Sequence, residues 1–183
     1  MSYIDILILR NLWRRPAHGY ELRKRVEAVT GVRLNNNSLY PALRRFEEAG
    51  AVTRTVHPQQ GRPPKLVYEL TDVGRGLLHD LLADLPPDAA QDDVEFMARL
   101  GQFSLLSPPE RLAVLDAREQ ALAERRHRLA ALHDQAENEQ WSTLVTAELA
   151  TRASQEQAWL HTLRAIAAQE PRAADPPPSK SRA

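Results

Sequence analysis

Asn37-Ser38-Leu39-Tyr40-Pro41-Ala42-Leu43-Arg44-Arg45-Phe46-Glu47-Glu48-Ala49-Gly50 is the stretch on which the fold turns. At about 100° per residue, Leu39, Ala42, Leu43, Phe46 and Ala49 gather on one side of a helix, and Asn37, Tyr40, Pro41, Arg44, Arg45 and Glu48 fall opposite. The helix is expected to begin at Asn37 or Ser38. With Ser38 as N-cap, Pro41 lies in the first turn, where a missing N–H costs little, and Gly50 is the natural stop. One face is built for burial, and the other presents two arginines, a tyrosine and amide and hydroxyl groups.

Upstream, Ser2 and Asp5 can cap a short helix on which Ile4, Leu7 and Ile8 share a face, and Pro16 stops it. His18 and Gly19 read as a turn. From Tyr20 the positions Leu22, Val26 and Val29 repeat with helical spacing, and Gly31 suits a helix terminus. Downstream the period changes to two. Val52 to Val56 is rich in β-formers, His57 to Pro64 is a turn, and Leu66, Tyr68 and Leu70 alternate with Lys65, Val67 and Glu69. This predicts a hairpin with Arg62 and Lys65 at its tip. Thr71 can cap a fourth helix carrying Val73, Leu77, Leu78, Leu81, Leu82 and Leu85, which Pro86-Pro87 must end.

Beyond residue 90 the composition shifts to Ala, Leu, Glu, Arg and Gln, and tyrosine disappears. Asp92 to Phe103 reads as a short helix. Ser107-Pro108-Pro109-Glu110 is a strong start signal for a helix running to near Glu139, with Ser107 as cap and Glu110 reaching back. Leu115, Leu122 and Leu129 recur every seven residues, so that helix wants a partner helix, which predicts a homodimer. A last helix spans about Trp141 to Ala168, and residues 170–183, rich in Pro, Ala and charge, hold too little apolar surface to order themselves. The expected organisation is a helix-and-hairpin unit at 1–87, a helical unit for pairing at 88–169, and a disordered tail at 170–183.

The 183 residues carry 24 Lys plus Arg and 24 Asp plus Glu, a net charge of zero. Residues 1–75 hold 13 basic and 7 acidic side chains and the remainder 11 and 17, so the balance is a sum of +6 and −6. With no cysteine there is no disulfide, thiolate nucleophile or Cys-ligated metal. The apolar run Ile4 to Leu9 is broken by Asp5 and has no basic leader, so it reads as neither a signal peptide nor a membrane span, and a soluble cytoplasmic protein without membrane contact is expected.

The fold class expected is mainly α with a small β-hairpin wing: an N-terminal winged helix-turn-helix followed by an α-helical domain. Three helices and a wing present the third helix to the major groove of double-stranded DNA. Arg44 and Arg45 can reach phosphates or a guanine edge, Asn37 and Ser38 suit a phosphate or an adenine, and Tyr40 offers a hydroxyl to the backbone. Arg62 can reach the flanking minor groove or its phosphates.

Three motifs carry a resemblance. His18-Gly19-Tyr20-Glu21-Leu22, then Ser38 to Gly50, then Gly61-Arg62-Pro63-Pro64-Lys65-Leu66-Val67-Tyr68-Glu69-Leu70-Thr71-Asp72-Val73-Gly74 together resemble the PadR family of bacterial transcriptional regulators. The resemblance covers roughly the first 75 to 85 residues, and the helical remainder looks like the larger subgroup. It implies a winged-helix domain, a helical dimerisation domain, binding to an inverted-repeat operator, repression, and release by a small aromatic or drug-like effector. By position, Ser38, Tyr40, Arg44 and Arg45 match the family's recognition helix, Tyr20 a residue near the DNA backbone, and Arg62 with Lys65 the wing. Leu66 and Glu69 depart from it, standing where relatives often carry basic residues, so the wing is expected to grip DNA more weakly.

Other chemistries find little support. His127 and His133 are six apart, not the i, i+4 spacing of a zinc helix, and Asp92, Asp93 and Glu95 read as charge bias at a helix start. No metal or cofactor and no enzymatic activity is expected, since neither a phosphate loop nor a Ser/His/Asp arrangement is present. Phe96, Met97, Phe103, Trp141 and Trp159 either line an effector pocket or pack the core and dimer seam. A protein-interaction adaptor that has lost DNA binding is the alternative function.

Overall fold

The computed structural model describes residues 2–30, 34–59, 62–135 and 139–169. Two compact units divide at Leu82 and Ala83. The first contains α1 (Tyr3–Arg14), β1 (Ala17–His18), α2 (Gly19–Thr30), α3 (Asn36–Glu48), β2 (Val52–Gln59), β3 (Arg62–Leu70) and α4 (Asp72–Ala83). The second contains α5 (Pro87–Ala90), α6 (Asp93–Leu100), a short 3-10 turn (Phe103–Leu105), α7 (Pro108–Gln135) and α8 (Gln140–Gln169).

In the first unit, Asp5 accepts the Ser2 N–H at 2.9 Å, as the cap at the start of α1 requires, and the helix stops before Pro16. Leu22, Val26, Leu39, Leu43 and Phe46 are buried with Ile6, Ile8 and Leu9. Burial of these side chains, about 1.5–3 kcal/mol each, holds α3 by its apolar face and leaves the other face to solvent. Ala49 does not join that core; it is the exposed C-cap of α3. The cap at the other end also differs from expectation. Asn35 accepts the Ser38 N–H at 2.8 Å, so α3 starts three residues earlier and Pro41 lies inside it. Pro41 has no N–H for the carbonyl of Asn37, an acceptor that remains affordable because Asn37 is exposed.

The sheet has three strands, not two. β2 pairs antiparallel with β3, and β3 also pairs with the two-residue β1 through Ala17 opposite Tyr68 and His18 opposite Val67. The expected turn at His18-Gly19 is therefore a strand end followed directly by α2, and His18 Nδ1 accepts the Glu21 N–H at 3.2 Å, capping that helix. The strands of the wing run further than expected, with His57 opposite Lys65 and Gln59 opposite Arg62. Thr71 caps α4 as expected, accepting the Gly74 N–H at 3.1 Å while donating to the Gly50 carbonyl at 2.7 Å. Gly50 has φ +69°, the left-handed region that a residue without Cβ adopts freely. Gly31, 60–61 and the tail 170–183 lie outside the described residues.

In the second unit, Glu110 accepts the Ser107 N–H at 2.7 Å, and Asp92 caps α6 through the Val94 N–H at 2.7 Å. α7 and α8 form an antiparallel hairpin, cross-linked by Arg118 to Glu156, Arg126 to Gln157 and His133 to Thr146. Leu115, Leu122 and Leu129 are buried. The leucine repeat of α7 is thus buried within this unit, where α7 pairs with α8. Only residues 136–139 separate the two helices, so their pairing costs no translational freedom.

The exposed apolar stripe lies on α8 instead. Trp141, Val145, Leu149, Trp159 and Ile166 share one arc of that helix and are all exposed, Trp141 by 78%. No described helix is long and apolar enough to cross a membrane.

Candidate nucleic-acid interface

The exposed face of α3 is organised by its neighbours. Asn35 Oδ1 receives both the backbone N–H and the hydroxyl of Ser38, the latter at 3.0 Å, which fixes the Ser38 side chain. Tyr40 lies across the start of α2: a Cβ built on Gly19 would meet its Oη at 2.9 Å and its Cε1 at 3.0 Å. Only glycine at position 19 lets the ring sit there. Tyr20 stacks on His18 with ring centroids 6.3 Å apart and takes Lys24 over its face at 4.8 Å. An open groove is lined by His18, Gly19, Tyr20, Tyr40, Lys65 and Tyr68, so the wing, α2 and α3 meet on one side of this unit. Burial raises the Tyr68 hydroxyl's pKa, and the ring belongs to the core beneath this groove.

The cations of the unit divide into tied and free. Arg45 donates from Nη2 to Asp5 Oδ1 at 2.5 Å, Arg54 pairs with Glu47 at 3.0 Å, and Arg25 bonds Glu21, holding that carboxyl below its ordinary pKa. Arg44 and Lys65 make no ion pair or hydrogen bond among the described residues. A tied guanidinium contributes little to the long-range field, whereas a free one attracts polyanions at full charge. Asn37 is exposed on the same face of α3, and the side chain of Arg62 is outside the described residues. Tyr20, Tyr40 and Lys65 are therefore brought together, Asn37, Ser38, Arg44 and Arg45 share α3, and Arg45 alone of these is engaged by a carboxylate.

The five candidates of the helical unit do not converge. Phe96 and Phe103 are buried, with the Arg118 guanidinium 5.2 Å over the Phe96 ring, whereas Met97, Trp141 and Trp159 are exposed. The open cleft between α7 and α8, lined by residues such as Leu129, Ala130, His133, Thr146, Ala150 and Ser154, includes none of them. Among the described residues no cluster of His, Asp and Glu could hold a metal ion. The acidic residues at the start of α6 serve arginines: Asp93 binds Arg118 and Glu95 binds Arg99 at 2.7 Å.

Those buried arginines escaped the sequence reading. Arg118 donates to both oxygens of Glu156 at 2.7 and 2.9 Å, to Asp93 at 2.6 Å and to the Ala90 carbonyl at 2.7 Å. Arg111 donates to the Phe103 carbonyl at 2.7 Å. Burial disfavours the charge of Arg118, but its two carboxylate partners outweigh this and raise its pKa. A signal was present: Arg111, Arg118 and Arg125 repeat every seven residues between the buried leucines of α7.

Three helices, a short three-stranded sheet with a long hairpin, and a third helix held by its apolar face define a winged helix-turn-helix. The profile of the "Transcriptional regulator PadR-like family" matches residues 8–80. A protein from Thermoplasma acidophilum described as a transcriptional regulator is 38% identical over 42% of this chain and 72% of its own, with a TM-score of 0.39. A PadR family transcriptional regulator from Eggerthella lenta is 35% identical over 44% of this chain and 69% of its own, with a TM-score of 0.40. Bacillus subtilis PadR, solved in complex with operator DNA, is 21% identical over 91% of this chain and 98% of its own, with a TM-score of 0.44. A search of the curated proteins returned no match. The chain belongs to the PadR-like family, a family of transcriptional regulators rather than enzymes.

Proposed function

We propose that the protein is a homodimeric repressor that places α3 of each subunit in the major groove of an inverted-repeat operator. The observation that carries this reading is the exposed face of α3, where uncompensated Arg44 stands with Asn37, Ser38 and Tyr40, beside a groove that adds Tyr20 and Lys65. Free guanidinium on a helix that fits the groove serves both phosphate neutralisation and guanine readout. Arg62 joins as a wing contact to phosphate or minor groove, and residues 1–87 form the DNA-reading domain, with 88–169 for pairing.

A second copy is the occupant we assign to the apolar stripe of α8. Trp141, Val145, Leu149, Trp159 and Ile166 expose on one arc the kind of surface that soluble chains cover, and two half-sites roughly 34 Å apart require two recognition helices. A small aromatic effector, if it acts here, meets exposed Met97, Trp141 or Trp159 and not buried Phe96 and Phe103. Saturable quenching of tryptophan fluorescence across a panel of aromatic compounds tests that step.

Fluorescence anisotropy with DNA from upstream of the protein's own gene, over a range of salt, tests the main reading. Tight binding that weakens steeply with salt, at two chains per duplex by light scattering, is expected. Absence of binding at low salt, with intact folding, rejects it in favour of a protein-interaction adaptor.

A further inference from the structure

Asp5 and Arg45 are 40 residues apart in the chain and join α1 to α3. The Asp5 side chain is only 4% exposed, and both of its oxygens are used: Oδ2 accepts the Ser2 N–H at 2.9 Å and Oδ1 accepts Arg45 Nη2 at 2.5 Å. Arg45 by contrast is half exposed, with its guanidinium carbon 5.3 Å from the centre of the Phe46 ring. Between the two helices runs an open cleft lined by Ser2, Asp5, Asn37, Ser38, Pro41 and Arg45. A buried carboxylate is costly to leave without its partner, so Asp5 holds Arg45 in place rather than releasing it. A planar guanidinium has five N–H donors, and gripping it by one amino group leaves the others available in a set direction.

We propose that Asp5 is a positioning residue for DNA recognition: it fixes Arg45 so that its remaining donors receive one backbone phosphate over this cleft, setting the register of α3. The inference rests on the DNA-binding function proposed above. It opposes the expectation from charge alone. Removing Asp5 raises the net charge by one, which by itself strengthens binding to every duplex. Loss of a positioning contact instead weakens the correctly registered complex and leaves non-specific binding intact.

The experiment selects the tightest binder from a random duplex pool with the wild-type protein, then measures affinity for that duplex and for its scrambled counterpart at matched salt. Asp5→Ala is expected to lower the selected-to-scrambled ratio by roughly tenfold, with scrambled affinity unchanged or tighter. Arg45→Lys keeps the charge but not the planar fork, so it is expected to lower the ratio similarly. The double variant is expected to fall no further, because both changes remove one contact. A ratio at the wild-type level in Arg45→Lys, or losses that add in the double variant, overturns the proposal. Thermal melts accompany each variant, and if Asp5→Ala does not fold, the surface change Arg45→Lys decides. A wild-type protein that enriches no sequence overturns the DNA-binding function itself, and the positioning role falls with it.

Discussion

Replacing Gly19 by alanine separates folding from DNA binding with one methyl group. Gly19 does not have a positive φ, so alanine is conformationally allowed there, and at a helix start it stabilises by up to about 1 kcal/mol. The new Cβ would stand 2.9 Å from Tyr40 Oη, 3.0 Å from Cε1 and 3.2 Å from Cζ. Ordinary carbon contacts begin near 3.5 Å, so the ring must retreat by roughly 0.5–1 Å. Tyr40 is half exposed and rotates away at little cost to stability. A hydrogen bond from its hydroxyl to a DNA phosphate does not survive that displacement, and a bond to a charged group is worth about 1.5 kcal/mol or more, close to tenfold in affinity. Anisotropy titrations of Gly19→Ala are expected to show about tenfold weaker binding at a melting temperature equal to or above wild type. Tyr40→Phe should weaken binding to the same extent, and the double variant no further. Wild-type affinity in Gly19→Ala, or a lowered melting temperature with proportionate loss of binding, would refute this placement of Tyr40.

Four further outcomes are expected. Arg44→Ala weakens binding to the selected duplex by about 1–3 kcal/mol through loss of a base or phosphate contact, measured by anisotropy at fixed salt. Gly74→Ala destabilises by about 3 kcal/mol in urea unfolding, because its Cβ would lie 2.1 Å from the Ala51 carbonyl oxygen, a backbone atom that cannot step aside. Arg118→Ala costs about 3–5 kcal/mol, since Glu156 and the Ala90 carbonyl lose their buried donor, whereas Arg118→Met with Glu156→Gln recovers much of the loss. Burial pushes the Asp93 carboxyl up, but Arg118 and Arg125 outweigh it and hold it below its usual 3.8. Its contribution is therefore present above that pH and lost as pH falls through the depressed value, so the melting temperature drops more steeply in acid for wild type than for Asp93→Asn.

Much of the winged-helix unit was legible because its signals are local. Capping residues such as Ser2, Thr71 and Ser107 act within three residues of themselves, and the period-two pattern of Leu66, Tyr68 and Leu70 marks a half-buried strand directly. The apolar face of α3 was legible for the same reason, although its cap was not: Asn35 and Ser38 are both good N-caps, and propensity alone does not choose between them. β1 was invisible, since two residues carry no period and exist as a strand only because β3 lies alongside.

The sequence by itself determined that there would be a winged helix with a polar, basic face on its third helix and a helical half of opposite charge, because periodicity and charge distribution are properties of neighbouring residues. Tertiary structure decided which of those charges are available. Arg44 and Arg45 are adjacent and alike in sequence, yet one has no partner among the described residues and the other is held by Asp5, 40 residues away. It likewise decided that the leucines of α7 are buried within the helical unit and that the exposed apolar stripe lies on α8, since which face meets which partner depends on helices packing across long separations.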